Sequence, residues 1–172
     1  MTPVLVLVGP PGSGKTTVGR VLAAALRVPF RDTDVDVETA EGRSIRVIFA
    51  EDGEPAFRAA EERAVRAALG THDGVLALGG GAVLSPRTRE LLTGHRVAFL
   101  NVGLAQGVSR TGGSTARPLL AGVHPHAMLR GLLEARAPLY RGVAAIEIGT
   151  DHRTPIEVAD AVLDAFGPIG VG

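Results

Sequence analysis

Residues 4–17 read VLVLVGPPGSGKTT, and this stretch decides the fold. Its second part, residues 9–16, matches the pattern G-x-x-x-x-G-K-[ST] and lies between an apolar run that predicts a strand and an amphipathic run that predicts a helix. Backbone N–H groups of such a loop point into one concavity, and the start of the following helix attracts anions. The stretch therefore predicts a nucleoside triphosphate site, built from Gly12, Ser13, Gly14, Lys15, Thr16 and Thr17.

Short apolar runs alternate with longer amphipathic stretches along the rest of the chain. This alternation is typical of βαβ units, whose parallel strands need crossover helices, and it predicts a three-layer α/β fold. We expect strands at residues 4–8, 28–32, 75–78, 97–102 and 144–148, and helices at 15–27, 44–50, 54–69, from Ser85-Pro86 to Gly94, at 126–140 and at 155–166.

The composition narrows the class of protein. The 172 residues favour one domain over residues 1–172, and 18 basic against 18 acidic side chains leave no net charge to attract nucleic acid or an anionic membrane. The absence of cysteine excludes disulfides and thiolate metal sites. The first apolar run is too short for a signal peptide or a membrane span, so we expect a cytoplasmic protein.

Two classes of nucleotide-binding protein fit the sequence poorly. A guanine-specific GTPase reads its base with an Asn-Lys-x-Asp motif, but the single lysine, Lys15, is already in the phosphate loop. Motor-type ATPases end an apolar strand in Asp or Asp-Glu, whereas the third predicted strand runs into Gly79-Gly80-Gly81. The acidic pair Asp32-x-Asp34 follows the second strand instead. It either caps a following helix or serves Mg²⁺ and receives a substrate hydroxyl proton.

Three arginines are candidate anion ligands. Arg136 continues an apolar helical stripe, and a buried guanidinium must be paired, although it could also extend to solvent. Arg58 stands at ion-pairing spacing from Glu61, and a solvated salt bridge is the alternative. Arg117 lies in a long glycine-rich loop and could reach a triphosphate.

The five histidines predict no site. His124 and His126 have too few neighbouring ligands for a metal. We expect His72, His95 and His152 to be surface loop residues.

Together these motifs resemble the shikimate kinase family, which is related to the nucleoside monophosphate kinases. The resemblance runs from about residue 4 to residue 155. It rests on GPPGSGKTT (9–17), DTD (32–34), GRSIxxIF (42–49), GExxFRxxE (53–61), GGGAV (79–83), RPLL (117–120) and RxPLY (136–140).

The resemblance implies a fold and an activity. The fold is a five-stranded parallel sheet of order 2-3-1-4-5 with flanking helices, a substrate-binding insert at about 33–61 and a lid at about 112–124. The activity is ATP-dependent phosphorylation of the shikimate 3-hydroxyl, a step toward chorismate and the aromatic amino acids. We expect shikimate, ATP and Mg²⁺ to be the ligands and the protein to be a monomer.

The resemblance also implies residue roles. Asp34 would hold the shikimate hydroxyls and act as base, while Lys15 and Arg117 would serve the transferred phosphate as catalytic residues. Thr16 and Asp32 would bind Mg²⁺, Asp32 through water. The substrate would contact Phe49, Phe57, Arg58, Glu61, Gly79, Gly80, Gly81 and Arg136, and the adenine would lie beside Arg110, Arg153 and Pro155.

Three alternatives remain open at the level of sequence. A kinase of another small hydroxy acid, such as gluconate, or a nucleoside monophosphate kinase could use the same arginines. A non-catalytic ATP-binding module would need neither Asp34 nor an acceptor site.

Overall fold

A computed structural model of the protein describes residues 2–103 and 125–171. Arg110, Arg117 and the predicted lid at 112–124 lie outside these residues. The strands are β1 (Leu5–Val8), β2 (Phe30–Asp32), β3 (Val75–Ala77), β4 (Val97–Asn101) and β5 (Ile146–Gly149). The helices are α1 (Lys15–Leu26), α2 (Thr33–Glu41), α3 (Ile45–Asp52), α4 (Glu54–Thr71), α5 (Pro86–Leu91), α6 (Pro125–Val143) and α7 (Pro155–Phe166), with a 3₁₀ turn at Ala82–Leu84.

The five strands form one parallel sheet in the order β2-β3-β1-β4-β5, which confirms the predicted fold. Strand β1 is central: Leu5 pairs with Val75 of β3, and Val6 pairs with Val97 of β4. Because all strands run in one direction, the loops after β1, β2 and β3 meet at the same carboxyl edge, where open α/β sheets bind ligands.

Helices cover both faces of the sheet, which explains the continuous apolar runs of its central strands. Successive side chains of β1 point to opposite faces. Val6 and Val8 join a core cluster with side chains of α4 and α6, whereas Leu5 and Leu7 join a second cluster with α1 and α7. The core is thus built from Ala, Val and Leu on both faces, with few aromatic residues.

Local signals explain several element boundaries. Ser85 caps α5 by accepting from the Thr88 N–H, as its position before Pro86 predicts. Strand β2 is shorter than predicted and begins at Phe30. The Val28 N–H is bonded to the Ala23 carbonyl at the end of α1, and Pro29 has no N–H for a strand ladder.

One histidine prediction was wrong. His72 is only 7% exposed, and its Nε2 lies 3.1 Å from the carbonyl oxygen of Val75. The side chain therefore packs beneath the turn between α4 and β3 instead of extending into solvent.

No helix in residues 2–103 or 125–171 is long and apolar enough to cross a membrane.

Helices α2, α3 and the start of α4 form a small helical layer beside the carboxyl edge of the sheet. Val37, Ile48, Phe57 and Ala60 are buried against one another and form its core. This layer is separate from the two clusters on the sheet, and it carries Asp34, Arg58 and Glu61.

Candidate active site

The phosphate loop connects β1 to α1. Gly14 has a φ of +87° and precedes the first residue of α1, so the turn requires a left-handed residue there. Lys15 Nζ donates to the carbonyl oxygens of Gly9 and Pro10, at 2.8 and 3.0 Å. The ammonium group is thereby held over the loop whose backbone would surround the phosphates.

Asp32 joins the phosphate loop to the second strand. Its Oδ2 accepts from the Thr16 hydroxyl at 2.9 Å, and its Oδ1 accepts from the Asp34 N–H at 2.9 Å. The two interpretations of the acidic pair are therefore compatible, because Asp32 caps α2 and also faces the phosphate loop. A cavity of about 290 Å³ opens at this point, lined by Gly12, Gly14, Lys15, Thr16, Thr17, Asp32, Asp34, Leu78 and Gly80.

Magnesium suits the oxygen atoms at this end of the cavity. Hydroxyl and carboxylate oxygens are ligands that Mg²⁺ prefers, and it often keeps waters and substrate phosphates as its remaining ligands. The described residues contain no group of three or more His, Cys, Asp or Glu that could hold a metal. Thr16 and Asp32 therefore fit a metal shared with a nucleotide better than a metal held by protein alone.

The glycine triplet, Gly79–Gly81, follows β3 and needs small residues for a physical reason. A Cβ on Gly79 would stand 2.5 Å from Asp34 Oδ1 and 2.7 Å from Glu61 Oε2, and a Cβ on Gly81 would overlap the guanidinium of Arg58. Real Cβ atoms essentially never approach other atoms within 3.0 Å. Side chains of α2 and α4 thus lie directly on this stretch of backbone.

Arg58 is held from two sides. Its Nη1 donates to Glu61 Oε1 at 2.8 Å, and its Cζ lies 5.1 Å from the centre of the Phe57 ring. A weaker contact of 3.4 Å joins it to Glu54. The Phe57 ring in turn lies 4.8 Å from the ring of Phe49, and the two form an apolar wall beside the arginine.

Glu61 is a buried carboxylate whose pKa responds to the other charged groups of the site. It is only 3% exposed, and this burial raises the pKa of its carboxyl group above the ordinary value. Arg58 and Arg136 act in the opposite direction on that pKa, while the charge of Asp34 adds to the rise. The four charged groups are therefore close enough to interact, although they come from α2, α4 and α6.

Arg136 is only 4% exposed, as the apolar periodicity of its helix predicts. One turn later on α6, the hydroxyl of Tyr140 donates to the carbonyl oxygen of Gly80. Burial raises the pKa of Tyr140 to about 12. Helix α6 thus contacts the backbone of the glycine triplet through Tyr140.

The residues predicted to flank the adenine are only partly described. Arg153 and Pro155 lie just after β5, at the carboxyl edge of the sheet, where Thr154 caps α7. Arg153 is exposed. Asp151 secures this segment, because its carboxylate accepts from the N–H of Gly103, which follows β4.

Two residues that the sequence interpretation missed contribute to the site. Thr33 is fully buried, and its hydroxyl accepts from the Gly79 N–H at 3.2 Å, so it ties α2 to the glycine triplet. Tyr140 is the single tyrosine, and the helical periodicity predicts it only as a member of the apolar stripe that Arg136 continues. Its spacing of four residues from Arg136 was the available signal, since residues four apart share a helix face.

A phosphate loop beside a buried group of carboxylates and two buried or half-buried arginines fits an ATP-dependent kinase of a small molecule. Comparison with known proteins gives the family. The family model described as shikimate kinase matches residues 11–166. The chain therefore belongs to the shikimate kinase family.

Curated relatives and solved structures agree with this assignment. The chain is 61% identical to the shikimate kinase of Saccharopolyspora erythraea over 95% of this chain and 94% of that protein. It is 56% identical to that of Mycobacterium tuberculosis over 95% and 93%. The structure of shikimate kinase from Acinetobacter baumannii in complex with shikimate superimposes with a TM-score of 0.93 at 37% identity, covering 96% of this chain and 93% of that one.

Proposed function

We propose that this protein transfers the γ-phosphoryl group of ATP to the 3-hydroxyl of shikimate, giving shikimate 3-phosphate and ADP on the route to aromatic amino acids. The family assignment supports this acceptor over gluconate or a nucleoside monophosphate, and it supports an enzyme over a non-catalytic ATP-binding module. The observation that carries the residue roles is that Asp34 and Glu61 lie together against Gly79 and that Glu61 bonds to Arg58, while the charge of Arg136 also acts on the pKa of Glu61.

Arg58 and Arg136 would form an arginine clamp for the shikimate carboxylate. A planar guanidinium matches a carboxylate with two parallel hydrogen bonds, and neither lysine nor a solvated charge offers this geometry. Glu61 would keep Arg58 in place through the 2.8 Å bond, and the rings of Phe49 and Phe57 would contact the carbocycle.

Asp34 would bind the shikimate hydroxyls at the other end of the acceptor site and receive the proton of the 3-hydroxyl. Its carboxylate lies against Gly79, beside the cavity that Lys15 and Thr16 also line. The glycine triplet would therefore let the acceptor approach the phosphate loop closely. Phosphoryl transfer depends mainly on such positioning and on charge neutralisation.

The phosphate loop would hold the triphosphate, with Lys15 on the β- and γ-phosphates. Thr16 and Asp32 would hold Mg²⁺, which neutralises developing phosphate charge when it is bound. Arg117 would reach the γ-phosphate from the lid at 112–124, and Arg110, Arg153 and Pro155 would flank the adenine. All of these roles belong to one domain in this proposal.

The decisive test of the clamp is the variant Arg136→Ala in a coupled ADP-release assay. We expect its KM for shikimate to rise on the order of 100-fold, because a charged hydrogen-bonded partner of the substrate is lost, while the KM for ATP stays near that of the parent. An unchanged KM for shikimate would refute the clamp.

A matched control exists on the same helix. Arg141 is exposed and bonded to Glu147, away from the acceptor site. Arg141→Ala should leave both KM values unchanged. Shikimate, gluconate and AMP are each offered as acceptor to the parent enzyme, and ADP release with gluconate or AMP but not with shikimate would refute the proposed reaction.

A further inference from the structure

A buried hydrogen bond joins the start of α2 to the glycine triplet. The Gly79 N–H donates to Oγ1 of Thr33 at 3.2 Å. Thr33 is 0% exposed, and Gly79 is buried as well. Because a buried backbone N–H needs a partner, the Thr33 hydroxyl satisfies a group that water does not reach.

The register of the sheet explains why Thr33 in particular is this partner. The Val75 N–H at the start of β3 donates to the Pro29 carbonyl on the side of β2, and every second residue of a strand points the same way. Four residues later, the Gly79 N–H would meet the backbone carbonyl of residue 33 if β2 continued. Strand β2 ends at Asp32, however, and Thr33 begins α2. Its side-chain oxygen therefore takes the place of the missing strand carbonyl.

The two ends of this bond carry groups of the proposed acceptor site. Asp34 follows Thr33 in the first turn of α2, where its N–H donates to the Asp32 carboxylate at 2.9 Å. A Cβ on Gly79 would stand 2.5 Å from Asp34 Oδ1, so this carboxylate lies directly on the glycine backbone. Asp34 and Gly80 both line the cavity at the phosphate loop. The bond thus connects the residues next to each of them.

We propose that Thr33 is a positioning residue that sets the distance between the Asp34 carboxylate and the Gly80 backbone, the two groups that would hold the acceptor. This inference rests on the proposed function, because Thr33 acts on the reaction only through groups assigned to the acceptor. Thr33 itself is fully buried and would not touch the substrate. Phosphoryl transfer depends on positioning, and a misplacement of about 1 Å can lower the rate about 100-fold.

Packing of the Thr33 side chain is the competing explanation, since a buried methyl group also stabilises a fold. The two explanations assign the effect to different atoms. Thr33→Val keeps a branched side chain and removes the oxygen, whereas Thr33→Ser keeps the oxygen and removes the methyl group. Positioning predicts damage in the valine variant and rescue by serine. Packing predicts the opposite order, with no selectivity between the two substrates.

Steady-state kinetics of ADP release test the proposal. In Thr33→Val, we expect kcat/KM for shikimate to fall about 10- to 100-fold, because the Gly79 N–H loses its partner and the glycine backbone shifts relative to Asp34. The KM for ATP should stay within about twofold of the parent value, and Thr33→Ser should stay within about threefold of the parent in both substrates.

Thr88→Val is the matched control. Thr88 is also buried, at 1% exposure, and it lies on α5. Within residues 2–103 and 125–171 its hydroxyl has no hydrogen-bond partner, so its removal breaks no such bond. This variant should leave kcat and both KM values unchanged.

A second pair of variants applies if Thr33→Val does not fold. Thr33→Cys and Thr33→Ser have side chains of the same shape and both lack the methyl group, but sulfur is a weak hydrogen-bond acceptor. We expect kcat/KM for shikimate to be about tenfold lower in Thr33→Cys than in Thr33→Ser. Equal values in this pair would overturn the positioning role.

The remaining outcomes separate this inference from the proposed function. A parent enzyme that releases ADP with shikimate, together with an unchanged kcat/KM in Thr33→Val, overturns the positioning role and leaves the reaction intact. Equal damage in the valine and serine variants, or KM values for shikimate and ATP that rise together, also overturn it. A parent that releases no ADP with shikimate overturns the proposed function and this inference with it.

Discussion

A methyl group at position 81 would occupy the space that the Arg58 guanidinium now fills. In Gly81→Ala the new Cβ would stand 2.5 Å from Arg58 Cζ and closer still to both terminal nitrogens. The backbone tolerates alanine, because φ is −100° and ψ is 5° at this residue. The substitution therefore tests the position of one side chain without straining the loop.

The expected effect of Gly81→Ala follows from the interactions that Arg58 loses when it is displaced. Displacement breaks the 2.8 Å bond to Glu61 and takes the guanidinium from its place over Phe57. A hydrogen bond to a charged group contributes about 1.5–3 kcal/mol. If the bond to Glu61 holds Arg58 in position to bind shikimate, the loss of this free energy should raise the KM for shikimate about 10- to 100-fold.

The assay is ADP release at varied shikimate and at varied ATP. We expect the KM for ATP to stay within about twofold of the parent value, since the phosphate loop is untouched. Gly142→Ala on α6 is the matched control, because in the described part of the chain an added Cβ there meets no atom beyond its own helix within 4 Å. A KM for shikimate that Gly81→Ala leaves unchanged would refute the placement of Arg58 in the acceptor site.

Two further predictions concern charge. In Glu61→Gln, the buried side chain is neutral at every pH. Burial raises the folded-state pKa of Glu61 above its ordinary value of 4.5. The parent should therefore lose thermal stability relative to the variant as the pH rises from about 4.5 through that raised pKa. Melting temperatures across this range check the sign, and a difference that does not vary with pH, or a parent that gains, would contradict it. Arg117→Ala should lower kcat on the order of 1000-fold with little change in the KM for shikimate, if it stabilises charge on the transferred phosphate; an unchanged kcat would contradict that role.

Much of the fold could be predicted because its signals are local. The phosphate loop is a contiguous motif whose glycines, lysine and hydroxyl act within one turn. The central strands appear as apolar runs because both faces of the sheet are covered, and Ser85-Pro86 specifies the start of α5. Strand order is a relation between distant segments, so it came from the resemblance to a family and not from the periodicity.

The contacts within the proposed acceptor site could not be predicted from the local pattern, because they are long-range, and its residues were implied only by the resemblance to a family. The helical spacing of Arg136 indicated a buried guanidinium, but it did not indicate a partner. The position of Tyr140 in the sequence was equally consistent with one more apolar side chain of the helix. His72 was predicted to be a surface loop residue, although it packs beneath a turn. These assignments depend on which elements face each other, and a one-dimensional pattern does not contain that information.

The sequence by itself determined that this chain binds a nucleoside triphosphate on a parallel α/β sheet, because the loop, its lysine and the alternation of elements are set by neighbouring residues. Only the tertiary structure decided that the buried carboxylate of Glu61 bonds to Arg58, lies beside Asp34 at Gly79 and is close enough to Arg136 for their charges to interact. The physical reason is that these charges come from three helices, and their mutual distances depend on how the helical layer and α6 pack at the carboxyl edge of the sheet.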